Sequence, residues 1–223
     1  AGADMLEVHN ARVSKDNARY TDLVYSRLQR KGALYRDCQR MVNQDRNVFA
    51  ACMVATGDAD GMVTGLTRNY HVALDEITRV LDPDPDSRVF GLSLVLARDR
   101  TLFIADTVVT ELPTSEQLAD FAQQTAAVAR QMGHEPRVAL ISFSNFGNPA
   151  LPRSEIVSDA VKLLDQRQAN FEYDGEMGID VALNPELMAH YPFCRLTGPA
   201  NVLIMPGLHS AQTSSKLVYE LGG

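Results

Sequence analysis

Ser142, Ser144 and Asn145 fall within four consecutive positions and bring two hydroxyls and an amide where a polar ligand can be hydrogen-bonded. Asp174 and Glu176 flank Gly175, and two carboxylates so placed can do acid–base work. They can equally serve the start of the next helix, whose dipole favours negative charge, and Asp180 is read in that structural role. Arg36, Arg40 and Arg46 sit near one expected turn and could hold a phosphate, although such arginines are commonly solvated surface. His71, near a helix start, is either a ligand contact or a packed structural group. Asp82, Asp84 and Asp86 alternate with Pro83 and Pro85, which superficially resembles a cation site. Without further oxygen ligands at regular spacing the run reads as a turn.

The element that must carry the two serines is Val138 to Ile141, an apolar run of strand length that breaks into the polar, glycine-bearing stretch Ser142 to Pro149. A buried strand that opens into such a loop and then a helix places ligands at the carboxyl edge of a parallel sheet. An ordinary strand-to-helix connection has the same pattern. From Thr114 onward the order is helix, strand, helix, strand, helix, strand, helix. Thr114 and Gln117 form a capping box at the head of the first helix. The second helix runs from Ser154 to Arg167 with Ile156, Val157, Ala160, Val161 and Leu164 inward. Phe171 to Tyr173 is a short strand with a polar end at Asp174 to Met177. A helix spans Ile179 to His190, and Asn201 to Met205 is the last strand. Val89 to Ala97 and Thr101 to Val109 form a hairpin across Arg98-Asp99-Arg100, with Asp106 at its end facing a cleft. The fold class is therefore α/β: a three-layer α/β/α sandwich on a mostly parallel sheet with a mixed edge.

The front third reads differently. Leu6 to Val8 ends an edge strand, and helices span Ser14 to Lys31, a short stretch from Gly32, and Asn47 to Thr56. Met62-Val63-Thr64 is a short buried strand closed by Gly65, and Asn69 to Leu81 is an amphipathic helix with Val72, Ile77 and Val80 inward. The expected division is residues 1–66, part of a first α/β subdomain, and 67–223, a second one. A final helix closing at Gly222-Gly223, and a front part with no complete sheet, read as a piece of a longer polypeptide.

Composition narrows the function classes. Of the 223 residues 45% are hydrophobic, and the net charge is −7 with no Lys/Arg cluster, which argues against a nucleic-acid partner. Cys38, Cys52 and Cys194, odd in number and far apart, fit neither a disulfide framework nor a paired metal site, so a reducing, cytoplasmic setting is expected. No apolar run reaches membrane-spanning length, and no membrane partner is expected.

Five blocks together resemble the phosphate acetyl/butyryl transferases, or phosphotransacetylases: GDADGMVTGL (57–66), PTSEQLADFA (113–122), EPRVALISFSNFGNP (135–149), FEYDGEMGIDVALNP (171–185) and GPANVLIMPGLHSAQTSSKLVYELGG (198–223). They stand in family order. RNYHVALDEI, SNFGNP and YPFCRLTGPANVLIMPGLHSA are most similar to the version fused behind the catalytic part of large bacterial NADP-dependent malic enzymes. Free acetyltransferases more usually have an STKG-like loop where this chain has Ser144-Asn145-Phe146-Gly147. They also have an arginine where this chain has Asp75, and their catalytic Ser-Arg pair and Asp lie after the last helix of this sequence.

The resemblance thus implies an acetyl-CoA-binding regulatory and oligomerisation domain, with no catalytic or metal-ligating residues of its own. The alternatives are a working phosphate acetyltransferase and a ligand-free oligomerisation domain. NADP and a divalent metal are implied for the parent enzyme. Acetyl-CoA or a related acyl-CoA is the implied effector, and the chain is expected to self-associate. The ligand is expected in an interdomain cleft bordered by Thr64, Gly65, Arg68, His71, Arg79, Ser142, Ser144, Asn145, Gly147, Met205 and Gly207.

Overall fold

Alternation along three apolar strands builds the second half of the chain. On the strand Arg137–Ile141, Val138 and Leu140 face one way and Ala139 and Ile141 the other; all four are buried. The strand Val202–Ile204 repeats the pattern, with Val202 and Ile204 opposed to Leu203, and Arg100–Ala105 does so with Phe103 and Ala105 opposed to Ile104. Each strand is therefore apolar on both faces and must be covered by helices twice. In chain order the strands are β1 (Leu92–Ala97), β2 (Arg100–Ala105), β3 (Arg137–Ile141), β4 (Glu172–Met177) and β5 (Val202–Ile204). They pair in the order β1-β2-β5-β3-β4, antiparallel between β1 and β2 and parallel elsewhere.

The computed structural model describes residues 7–97 and 100–222. The expected strand at Leu6, the hairpin turn at Arg98-Asp99 and the terminal Gly223 lie outside the described residues. The chain divides into two units, Ala1–Asp84 and Pro85–Gly223. The division falls inside the Asp82 to Asp86 run rather than after Leu66.

In the first unit the helices are α1 (Asn17–Leu28), α2 (Tyr35–Gln44), α3 (Arg46–Ala55) and α4 (Tyr70–Thr78). They share one core of Tyr20, Val24, Val42, Val48, Cys52 and Val80, with the Tyr20 and Phe49 rings edge-on at 5.1 Å. Val80 follows α4 into this core, which is why that helix belongs to the first unit. Two expectations are corrected. Met62 to Thr64 is not a strand: Val63 and Leu66 are fully exposed, and among the described residues this unit has no other strand to pair with. Val72 is exposed too; the inward positions of α4 are Ala73 and Glu76.

In the second unit α5 (Ser115–Gln131) and α6 (Pro152–Gln166) cover the face that carries Val138 and Leu140. The capping box of Thr114 and Gln117 is formed at the head of α5. The opposite face packs on α7 (Ile179–Leu183), α8 (Pro185–Met188) and α9 (Leu208–Gly222). The single helix expected over 179–190 is two, because Pro185 has no N–H to continue the first and Asn184 caps the second, accepting from the Glu186 N–H at 2.9 Å. β4 likewise runs through the stretch read as its polar end, so Asp174 and Glu176 are strand residues, 5% and 2% exposed.

Gly175 shows why a small residue is needed in that strand. It lies opposite Leu140 with φ +156°, and a Cβ there would come within 2.7 Å of the Leu140 carbonyl oxygen and 2.9 Å of its Cβ. Backbone cannot yield cheaply. Gly175→Ala is expected to cost about 1–3 kcal/mol in chemical denaturation, while a loss below about 0.5 kcal/mol would contradict this account of the β3–β4 approach.

Candidate functional site

The parallel strands β2, β5, β3 and β4 end along one edge of the second unit, and buried carboxylates fix the loops that leave it. Asp106, after β2, is 3% exposed and accepts from the backbone N–H groups of Gly91 (2.7 Å), Val108 (2.8 Å), Val109 (3.1 Å) and Thr110 (2.6 Å). It is a loop clamp, not the cleft-facing carboxylate expected from its position. Glu176, at the end of β4, accepts from Ser144 Oγ and from the Gly147 N–H at 3.2 Å. Asp174 accepts from the N–H groups of Gly175 (2.9 Å) and Arg195 (2.7 Å).

The loop after β3 is held on all sides. Asn145 and Asn148 exchange backbone hydrogen bonds at 3.1 Å, with Phe146 (φ +50°) and Gly147 (φ +88°) between them, the paired positive φ values of a type I′ turn. Asn145 Oδ1 accepts from the Gly178 N–H at 2.7 Å, and Ser142 Oγ lies 3.2 Å from Ser144 Oγ. Ser144 is completely buried, so its hydroxyl braces the loop and does not face solvent. Met205 is also interior, its N–H donating to the Ala105 carbonyl at 2.6 Å.

Ser142 and Gly207 come together. They line a depression of about 290 Å³ with Leu112, Phe143, Arg153, His209 and Ser210. Gly207 allows the loop after β5 to approach the Glu111 carbonyl, which an added Cβ would meet at 3.1 Å; the Leu208 N–H donates to that oxygen at 3.0 Å. Phe143 and Leu112 are largely exposed, so the depression combines apolar walls with a guanidinium, and the exposed Glu111 is also in its lining. Arg88, Arg130, Arg167 and Arg195 of this unit have acid partners, whereas Arg153, like Arg100 and Arg137, has none among the described residues. Arg153, His209 and Ser210 escaped the sequence reading. The Pro152 helix start and the Gly207 strand end were the available signals.

The first unit holds a second depression, about 660 Å³, lined by Arg46, Asn47 and the stretch from Met62 to Arg68. Thr64 and Arg68 join a polar network at its floor: Thr64 Oγ1 donates to Asn47 Oδ1 at 2.5 Å, Asn47 Nδ2 to Glu76 at 2.7 Å, and Arg68 to Asp45 at 2.8 Å and to Glu76. Gly65 lines the depression with φ +142°. His71 and Arg79 do not: His71 is exposed, its backbone N–H held by Asn69, and Arg79 pairs with Asp75. Arg40 pairs with Asp37, which leaves Arg46 as the arginine of the expected trio that lines a depression. Burial pushes Asp45 up, but hydrogen bonds from Glu76 and Arg68 outweigh it and hold the carboxyl below its usual range. Glu76 is raised, by burial first and then by neighbouring Asp45.

The family model described as phosphate acetyl/butaryl transferase matches residues 2–223. An NADP-dependent malic enzyme of Rhizobium meliloti (strain 1021) is 58% identical over 98% of this chain, which spans 29% of that protein's length. A phosphate acetyltransferase of Treponema pallidum (strain Nichols) is 33% identical over 94% of the chain and 66% of its own. Among solved structures, the EutD phosphotransacetylase from Staphylococcus aureus superposes with a TM-score of 0.85 at 25% identity, over all of this chain and 68% of the other.

The ion network in the first unit fixes a pH signature. Removing the cation in Arg68→Met leaves two carboxylates facing each other and raises both folded-state pKa values, so the variant loses stability as pH rises through them. The deficit against the parent is expected to be about 2 kcal/mol near neutrality and to close in acid, where both carboxyls are protonated in either protein. Denaturation at several pH values checks it; a deficit independent of pH would show that the network's charge is irrelevant.

Proposed function

Since the chain belongs to the phosphate acetyl/butyryl transferase family, we propose that it is the acetyl-CoA-binding regulatory and oligomerisation part of a cytoplasmic NADP-dependent malic enzyme, which converts malate to pyruvate. The observation that carries this reading is the 58% identity to a malic enzyme across 98% of the chain. On this reading the oxidative chemistry, with NADP and a divalent metal, belongs to the remainder of the longer protein. Among the described residues no three His, Cys, Asp or Glu side chains come together as metal ligands. Also among the described residues, no helix is long and apolar enough to cross a membrane.

The acyl-CoA site is assigned to the loops around Ser142, Gly147 and Gly207, with Arg153 meeting a coenzyme phosphate and Phe143 and Leu112 flanking the acyl or pantetheine chain. This shifts the cationic role away from Arg68 and Arg79, which are engaged with carboxylates. Polar side chains of these loops are satisfied within the protein: Ser144 on Glu176, Asn145 on Gly178, and Ser210 Oγ on the Gly207 carbonyl at 2.7 Å. That arrangement supports a binding module rather than an acyl-transfer centre. A ligand bound unequally by two states of the longer protein becomes a coupling free energy to its distant reaction site. Catalytic acetyl transfer to phosphate is the second reading, favoured by the 33% identity to an acetyltransferase.

Calorimetry with acetyl-CoA tests the site. Arg153→Ala is expected to weaken binding about tenfold or more, as a lost charge-assisted hydrogen bond does, with denaturation midpoint unchanged. Unaltered affinity would move the phosphate elsewhere, and CoA-dependent consumption of acetyl phosphate above a heat-treated control would favour the second reading. Self-association is assigned to the second unit. β1 is an edge strand exposing Leu94 and Leu96, and α9 packs on β1 and β2 while exposing Leu217, Tyr219 and Leu221. Light scattering should give a mass above that of one chain, reduced towards it by Leu96→Lys; a monomer at all concentrations would contradict the assignment.

A further inference from the structure

At the amino-terminal edge of the same sheet, opposite the loops just described, three parallel strands begin side by side: β2 at Arg100, β3 at Arg137 and β5 after Asn201. Their register brings Arg100 and Arg137 to one depression of about 290 Å³, with Thr101 and His134 in its wall and no acidic residue in its lining. Each guanidinium is braced on a backbone carbonyl, Arg137 Nε donating to Pro199 O at 2.8 Å and Arg100 Nη1 to Leu183 O at 3.1 Å. Neither has a carboxylate partner among the described residues. The adjacent Glu135 pairs instead with Arg130, and Asn201 is occupied in bracing β3, accepting from the Arg137 N–H at 2.7 Å and donating to the Glu135 carbonyl at 2.8 Å. The His134 ring is held edge-on to Phe103, centroids 5.4 Å apart.

Two positioned, unneutralised guanidiniums in a chain of net charge −7 are unusual neighbours. Repulsion between them is relieved by an anion that both can reach. We propose that this depression is an oxyanion site for a phosphoryl group, distinct from the acyl-CoA site and independent of that reading. The donors available are the remaining N–H groups of Arg100 and Arg137, the Thr101 hydroxyl and the His134 ring. They line the same depression from both faces of the sheet edge, Arg100 and Arg137 from the side of Ile104 and Ala139 and Thr101 and His134 from the side of Phe103, which suits the several oxygens of a tetrahedral phosphoryl group better than one planar carboxylate. The volume admits inorganic phosphate or a diphosphate, and leaves the rest of any larger ligand outside.

The test is titration of the full chain with inorganic pyrophosphate at constant ionic strength, followed by calorimetry and by the side-chain NMR signals of His134 and the arginines. Saturable binding is expected, with shifts at Arg137 and His134. Arg100→Gln, at an exposed position, should weaken it about tenfold or more without changing the denaturation midpoint, and Arg153→Gln should leave it intact. ADP in place of pyrophosphate distinguishes the source. Tighter binding with the same Arg100 dependence points to a nucleotide, and equal or weaker binding points to the free anion. The proposal is overturned by the absence of saturable binding at millimolar pyrophosphate, or by binding that survives both Arg100→Gln and His134→Gln.

Discussion

The second unit depends on one constraint, the common register of β2, β5 and β3. β5 has only three residues, all buried, and it is hydrogen-bonded on both sides. A slip of one residue would turn Val202 and Ile204 away from α5 and present Leu203 in their place, exchanging two differently shaped cores. The same register gathers the strand ends into two rows. At the carboxyl row the polar groups that hold the loops are carboxylates taken out of water and saturated with N–H and O–H donors. At the amino row they are guanidiniums braced on carbonyls. Among the described residues, Arg153 at the carboxyl row is likewise without an acid partner, so the contrast between the rows lies in the groups that hold the loops and not in where unpaired bases are found.

Much of this was legible in the sequence wherever local chemistry and burial agree. Val138 to Ile141 reads as a two-faced strand because all four residues are apolar, and the α5 start is written in Thr114 and Gln117. The α/β/α layering follows from the alternation of such segments. Failures came where a residue's type and its surroundings disagree. Met62-Val63-Thr64 has strand-forming side chains, but pairing is a property of a partner, and periodicity cannot supply one. Glu76 and Asn47 look like surface residues on their helices, yet they sit in a buried network completed by Arg68, whose sequence position gives no hint of it.

The candidate site was legible in its framework and not in its donors. Sequence reasoning drew attention to Ser142 and Gly207, each following a buried strand, and the two line one depression. It could not distinguish a hydroxyl that awaits a ligand from one already taken by Glu176. Asp106, Asp174 and Glu176 were read through the chemistry of exposed carboxylates. Burial reassigns them as acceptors for backbone N–H groups and for the Ser144 hydroxyl. The same distinction bears on the two functional readings of the family. A fold that retains the loops but closes their polar groups on one another retains a shape for a ligand without groups to attack it.

The link between the two units has a chemical consequence of its own. The division at Asp84/Pro85 falls in a stretch holding two Asp–Pro peptide bonds, Asp82–Pro83 and Asp84–Pro85. Such bonds are the most acid-labile in a polypeptide, since the aspartyl side chain attacks its own peptide carbonyl and the tertiary, basic proline nitrogen departs readily. Mild acid is thus a reagent that cuts between the helical unit and the sheet-bearing unit and gives each a defined terminus. The two units are separable by solution chemistry alone, with no protease and no redesigned gene.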